Sequence, residues 1–285
     1  MAATTPDPKL PTSPQPGTSV EDALLRSFLA NWTASIETYG VPLGARALRR
    51  DDFAAVDVGI PTIGGNVVTL LAPLAIENAD QVADALDDFY TFGSEGSTGT
   101  VYLFSAWPTP DLRPHGWTLT EYMPLMLRPS GGVVPATPPG LRFDTVRDER
   151  GLRDFESAIV RGFGDHDLEA LGPGTAFSPG ILADDRMRMW VGWEGARPVC
   201  AAATFVAEGI NQVTLVATVP EARRRGYGAA VTWCATLADP TLPSLLIATE
   251  EGRHVYERIG YVSLLRFTLW SRERPGDGTT GSAGC

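Results

Sequence analysis

Val216-Ala217-Thr218-Val219-Pro220-Glu221-Ala222-Arg223-Arg224-Arg225-Gly226-Tyr227-Gly228-Ala229-Ala230 is the stretch on which the fold turns. Residues 213–219 are apolar and β-branched and form a strand, Pro220 ends it, and a helix begins near Gly226 and runs to 237 with Trp233 and Leu237 inward. At a helix start the backbone N–H groups have no internal partner and carry the positive end of the dipole, so they attract phosphate. Gly226 and Gly228 carry no Cβ to hold a phosphate off that backbone. Arg223, Arg224 and Arg225 add charge and planar donors. The arrangement suits a pyrophosphate.

A Walker loop needs Gly-Lys followed by Ser or Thr, and a dinucleotide fingerprint needs a third glycine; both are lacking here. By itself the loop reads equally as a basic turn whose small residues let a helix pack closely. The downstream segment Ala248-Thr249-Glu250-Glu251-Gly252-Arg253-His254-Val255-Tyr256-Glu257-Arg258-Ile259-Gly260-Tyr261 adds a strand end, a short helix and a Gly-aromatic turn. Around both lie a strand at 141–146, a helix with Leu152, Phe155, Ile159 and Phe163 on one face, and strands at 187–193 and 199–206 flanking a hairpin turn at 194–197. With strands at 245–249 and 262–270 the order is β-α-β-β-β-α-β-α-β, an α/β (α+β) mixed sheet with helices packed on it.

Arg223-x-x-Gly226-x-Gly228 followed by Tyr256-x-x-x-Gly260-Tyr261 resembles the GNAT N-acetyltransferase superfamily, over residues 141–271 with every element in order. The resemblance implies the acyl-CoA N-acyltransferase fold, acetyl-CoA as co-substrate and no metal. It implies that the backbone of Val216, Ala217 and Thr218 pairs with the pantetheine arm, Thr218 replacing a usual apolar residue. Backbone amides of Arg223, Arg224, Arg225, Gly226, Tyr227, Gly228 and Ala229 would hold the pyrophosphate. Tyr256 matches a general acid that protonates the departing thiolate, and a phenol with a pKa of about 10 is not badly mismatched to a thiol; packing on the final strand is its structural alternative. The amine would attack the thioester directly, with amides near Ala217 stabilising the oxyanion. Many relatives carry a carboxylate base on the strand before the loop; residues 209–219 contain none, and Glu208 lies just before them. Water held by Asn211 or Thr214, or an amine that arrives neutral, would take its place. His166 falls where the family's substrate loop follows its first helix, but its flanking aspartates mark it as solvated. His254 points away from Tyr256 around the helix.

Before this unit lie a helix carrying Leu24, Leu25, Phe28, Trp32 and Ile36, a strand at 67–71, a helix carrying Val82, Leu86, Phe89 and Tyr90, and strands at 101–104 and 122–127. Pro124 points to a sheet edge for the last. The series, with its turn His115-Gly116-Trp117, resembles the latter half of the family's domain without the phosphate loop. The implied organisation is a disordered leader (1–18), a smaller degenerate GNAT-like domain (19–129), a linker (130–140), the catalytic domain (141–271) and a flexible tail (272–285). The first domain would complete the acceptor pocket, cover a sheet edge or make a homodimer.

A net charge of −11 argues against a nucleic-acid binder and suits a cationic amine. No apolar stretch approaches the roughly 18 residues of a membrane span. Cys200 and Cys234 sit among apolar residues as reduced core thiols, and with no signal-peptide pattern at the N-terminus these features point to the cytoplasm and away from a membrane. The expectation is acetyl transfer from acetyl-CoA to the primary amine of a small molecule; the alternatives are a protein or peptide amine, or an acyl-CoA-binding sensor or scaffold without turnover.

Overall fold

The computed structural model describes residues 20–60, 64–92, 99–164 and 166–274. The leader and residues 275–285 lie outside them. The chain opens with helix α1 (Val20–Gly40), strands β1 (Arg46–Arg49), β2 (Phe53–Asp57) and β3 (Val67–Leu70), helix α2 (Ala79–Tyr90), and strands β4 (Gly99–Ser105) and β5 (Thr118–Arg128). After the irregular stretch 130–140 come β6 (Leu141–Thr145), α3 (Glu149–Phe163), α4 (His166–Leu171), β7 (Met187–Glu194), β8 (Arg197–Ala207) and β9 (Ile210–Thr218). Helix α5 (Tyr227–Thr236), β10 (Ser244–Ile247), α6 (Glu250–Arg258) and β11 (Val262–Arg274) complete it, so residues 272–274, expected in the tail, are strand. Strands β1 and β2 carry no period-2 signal: β1 is mostly exposed, and β2 is buried at every position.

One eleven-stranded sheet holds all the strands, in the order β1-β2-β3-β4-β11-β5-β10-β9-β8-β7-β6. Strand β5, from the first half, lies between β10 and β11, and β11, from the second half, lies between β4 and β5. Each half thus lends its last strand to the other. Pro124, expected at an edge, therefore sits in a central strand. Its carbonyl accepts from Ala248 N at 3.0 Å, just past the last β10–β5 pair, Ile247–Leu125. The missing N–H faces the same way, at the very end of β10, so the proline removes at most the terminal bond of that ladder and interrupts no pair within it.

Side chains alternate into two cores, one on each face of the sheet. Helices α1 and α3 cover one: Phe155 and Ile159 pack on Ala203, Phe205 and Ala217, and Phe28 and Leu29 continue that layer over Leu125, Leu245 and Phe267. On the other face α5 and α6 pack on Ala202, Val213 and Leu246, and α2 packs on Val68, Leu103 and Trp270. Two expected inward residues fall elsewhere. Helix α5 starts earlier than its apolar pattern suggests, so its inward stripe is Tyr227, Val231 and Ala235, and Trp233 lies half-buried with the Arg128 guanidinium 4.6 Å from its ring centroid. Phe163 is 46% exposed because Gly162 already meets Ala217 and Thr218 at the end of β9.

The register repeats across the β5–β11 pair. Gly116 and Gly260 both have positive φ (80° and 94°), each is followed by a buried aromatic, Trp117 or Tyr261, and each leads into one of the exchanged strands. Each strand then carries an extra residue near its start, Thr120 in β5 and Leu264 in β11.

Candidate functional site

Strands β9 and β10 pair in parallel only at Asn211–Ser244 and Gln212–Leu245. Beyond that point β10 follows β5, while β9 runs on to Thr218. Residues 213–218 therefore have no strand on that side among the described residues, and a wedge opens between two diverging strands. Backbone donors and acceptors along such an edge are free for another extended chain. On its other side β9 is bulged: Ala201 faces Ala217 but Ala203 faces Thr214, and Leu215 takes a left-handed φ of 51°. The extra residue re-aims the backbone of Val216 and Ala217.

The arginine–glycine loop follows at the wide end of the wedge. Arg224 (φ 61°) and Gly226 (φ 79°) are both left-handed, and the first helical bond of α5 runs from Ala230 N to Gly226 O at 3.0 Å. The N–H groups of Tyr227, Gly228 and Ala229 hence have no acceptor within the helix. Gly228 serves packing: a Cβ there would stand 3.1 Å from Thr218 Oγ1.

The arginines, alike in sequence, have separate tasks. The Arg223 guanidinium donates to the carbonyls of Gly162 (2.8 Å) and Thr218 (3.2 Å), tying the loop to α3 and β9. Arg225 pairs with Glu194 of the β7–β8 hairpin and lies over the Tyr227 ring, whose hydroxyl also donates to Glu194 at 3.2 Å. The hydrogen bonds from Arg225 hold the Glu194 carboxyl below the usual carboxylate range. Only Arg224 has no charged or hydrogen-bonded partner among the described residues. Sequence alone could not separate them, because Glu194 lies far away along the chain.

Tyr256 projects from α6, which is capped by Thr249 Oγ1 accepting from Gly252 N at 3.1 Å. It is 9% exposed, its ring meets that of Tyr261 edge-on at 6.0 Å, and a Cβ at Gly252 would stand 3.4 Å from it. Its hydroxyl makes no hydrogen bond among the described residues. Burial, and then the neighbouring Tyr261, push its pKa well above that of free tyrosine. This makes the hydroxyl a weaker acid than a free phenol, suited to hydrogen-bond donation more than to full proton transfer. Tyr261 is structural: its hydroxyl joins Thr236 at the end of α5 (2.8 Å) to Ser244 at the start of β10 (2.7 Å). Burial pushes its pKa up to about 12 against those two bonds.

Other candidates separate by position. Asn211 Nδ2 donates to the carbonyls of Thr236 (3.3 Å) and Asp239 (2.7 Å), so it caps α5 on the face opposite α1. Glu208 precedes β9, a full strand of roughly 30 Å from the loop. His254 is exposed beside Glu257 (3.1 Å), and the side chain of His166 lies outside the described residues. A cavity of about 540 Å³ beside the start of α6 is lined by Pro108, Pro110, Leu119, Tyr122, Arg266 and Trp270, segments too scattered to form a motif. Among the described residues no group of three His, Cys, Asp or Glu could hold a metal ion, and no helix is long and apolar enough to cross a membrane.

No family model matches the chain, and no curated protein sequence matches it. Solved structures do. A GCN5-related N-acetyltransferase from Kribbella flavida aligns over 88% of this chain and 97% of its own, with a TM-score of 0.59 and 18% identity. This is the GNAT fold. A functionally unknown conserved protein from Staphylococcus epidermidis ATCC 12228 aligns over 82% of this chain and 96% of its own (TM-score 0.59, 13% identity). A GCN5-related N-acetyltransferase from Sphaerobacter thermophilus aligns over 82% and 78% (TM-score 0.51, 13% identity). Coverage above four-fifths means that the likeness to these structures extends across both halves of the exchanged sheet.

Proposed function

We propose that the chain is an N-acetyltransferase that moves an acetyl group from acetyl-CoA to the primary amine of a small molecule. The observation that carries this is the wedge between β9 and β10, which ends at the unpaired N–H groups of α5. An extended amide-bearing arm fits the free edge of residues 213–218, and a pyrophosphate fits the amides of Tyr227, Gly228 and Ala229. Arg224 supplies a free cation beside them. The amine lone pair attacks the thioester carbonyl, and the amides near Ala217 receive the oxyanion. The C–S bond then breaks with its electron pair on sulfur, and the Tyr256 hydroxyl donates a hydrogen bond to that sulfur. A net charge of −11 favours the approach of a cationic amine, which loses its proton before attack. The first half is read as a degenerate copy of the second, retained for β5, which covers the edge of β10.

Calorimetric titration with acetyl-CoA, followed by thiol release over a panel of amines, tests this. Binding and turnover are expected, with Tyr256→Phe lowering kcat about 100-fold, the low end of what a positioned proton donor supplies. Absence of acetyl-CoA binding overturns the proposal. Full activity of Tyr256→Phe at all pH values removes that residue from the chemistry. The absence of a carboxylate from residues 209–219 keeps a second function in view, acyl-CoA binding without turnover, which predicts binding and no thiol release with any amine.

A further inference from the structure

Helix α6 is short and shallow. A helix of nine residues is marginal on its own in water, and Tyr256 is the only one of the nine that is buried, so packing alone gives it little hold. Hydrogen bonds hold it at both ends, and both partners stand on β5, the strand lent by the first half. At the start, Glu121 Oε1 accepts from Glu250 N at 3.1 Å, one of the donors that a helix leaves unpaired. At the finish, Arg128 Nε donates to the carbonyl of Ile259, the C-cap residue, at 3.0 Å. An acid at the N-terminus and a cation at the C-terminus also match the sign of the helix dipole. A second tie reinforces the first: Arg266 donates to the carbonyl of Tyr122 (2.8 Å), next to Glu121, and to the Glu250 carboxylate.

The hold at the start of α6 sets the phenol. Tyr256 folds back over the first turn, where a Cβ at Gly252 would stand 3.4 Å from its ring and 3.9 Å from its hydroxyl. No hydrogen bond of its own fixes the hydroxyl among the described residues, so it moves with the turn that Glu121 caps. We infer that Glu121 and Arg128 are positioning residues: the first half lends β5 to clasp α6 by its two ends and so to aim the Tyr256 hydroxyl at the leaving sulfur. This rests on the transferase function proposed above, and it gives the first half a part in the chemistry that covering the edge of β10 does not. Neither residue touches substrate; each acts through the helix.

The test is a double-mutant cycle on kcat in the full chain, with an amine that it acetylates. Glu121→Ala removes the cap acceptor and is expected to lower kcat about tenfold, because small misplacements of a catalytic group are costly. The loss is bounded by the roughly 100-fold expected of Tyr256→Phe, through which it passes. Acetyl-CoA affinity should stay within about twofold, since the cap serves the chemical step and not the wedge. Glu121→Gln keeps an oxygen acceptor and should come within about threefold of the wild-type rate. In the Tyr256→Phe background Glu121→Ala should cost less than about twofold, because there is no hydroxyl left to misplace. An equal loss in both backgrounds, or no loss in the first, overturns the assignment, and so does a fully active Tyr256→Phe. If Glu121→Ala does not fold, the same cycle with Arg128→Met, which removes the donor at the other end, decides in the same way. Hydrogen exchange supplies a readout that needs no turnover: the amides of residues 250–258 should exchange faster in Glu121→Ala while those of α5 keep the wild-type rate. Unchanged exchange in α6 overturns the clasp. Wild-type protein that binds no acetyl-CoA refutes the transferase function itself, and the exchange rates then still decide whether β5 holds α6.

Discussion

The two halves of the sheet share their wiring and differ in what they can hold. In both, two parallel strands are joined through a helix, β3–α2–β4 and β9–α5–β10, and the next strand crosses to the other half. Strand β3 ends at Leu70, one residue after its last pair with β4, Thr69–Phe104, whereas β9 continues through Val213–Thr218 past its last pair with β10. Helix α2 is preceded by a 3-10 turn, with Asn78 at φ −102° as its N-cap, while α5 starts from left-handed Arg224 and Gly226. Where the second half has α6 with Tyr256, the first has Pro108 and Pro110, which resist a helix, and then buried Leu112. Connectivity alone builds no cradle. Strand overrun, two left-handed residues and one short helix make the difference.

The largest effect expected from breaking that asymmetry is at Gly226. A β-branched residue at its φ of 79° is strained by about 1–2 kcal/mol, and the loop relieves this by turning its amides out of line. Gly226→Val should therefore weaken acetyl-CoA binding by about 2 kcal/mol, some 30-fold. Asn78→Ala, at the start of α2, should leave binding unchanged. Calorimetry on both variants decides the matter, and equal affinities would mean that the start of α5 is no more a phosphate site than that of α2.

Much of this was legible in the sequence, for reasons that also mark where legibility stopped. The loop, the short helix and the Gly-aromatic turn are local, so Arg223 to Ala229, Tyr256 and the Gly260-Tyr261 turn stand out once their joint spacing is matched to the family they resemble. The strand exchange does not, because nothing in the residues of β5 says that it pairs with β10 and β11 rather than with β4. Pro124 even argued the other way. The division of labour among the arginines depends on Glu194 and Gly162, partners brought in by tertiary structure. Strand β2 escaped notice because burial on both faces erases the alternation that signals a strand.

A middle-sized effect should distinguish the two tyrosines of the α6 region. Tyr261→Phe leaves the hydroxyls of Thr236 and Ser244 without their shared partner in a buried site, a loss of about 1–2 kcal/mol. Its position before β11 matches that of Trp117 before β5, where an indole fills the place without bridging α2 to β4 through a hydroxyl. Urea unfolding should thus show a lower midpoint for Tyr261→Phe and a near wild-type midpoint for Tyr256→Phe, whose hydroxyl has no partner to lose among the described residues. The reverse order would exchange the structural and chemical roles given to these residues.

The smallest effect concerns Glu194, and it compares one ion pair in each half. Arg225 holds the Glu194 carboxyl low, and Arg113 does the same to Asp111. A carboxyl depressed in the folded state contributes stability above its unfolded pKa of about 4, and loses it as pH falls through the lower folded value. Glu194→Gln and Asp111→Asn should both flatten the acid limb of stability below about pH 4, modestly, since both pairs face solvent. Only Glu194→Gln releases a cation beside the amides of α5. Acetyl-CoA should bind it about two- to threefold more tightly at low salt, an advantage that fades as added salt shortens the Debye length toward 3 Å at 1 M. Asp111→Asn should bind as wild type at every salt concentration. An affinity for Glu194→Gln that matches wild type at low salt would mean that Arg225, even when freed, stays a strut for Tyr227 and does not reach the phosphates.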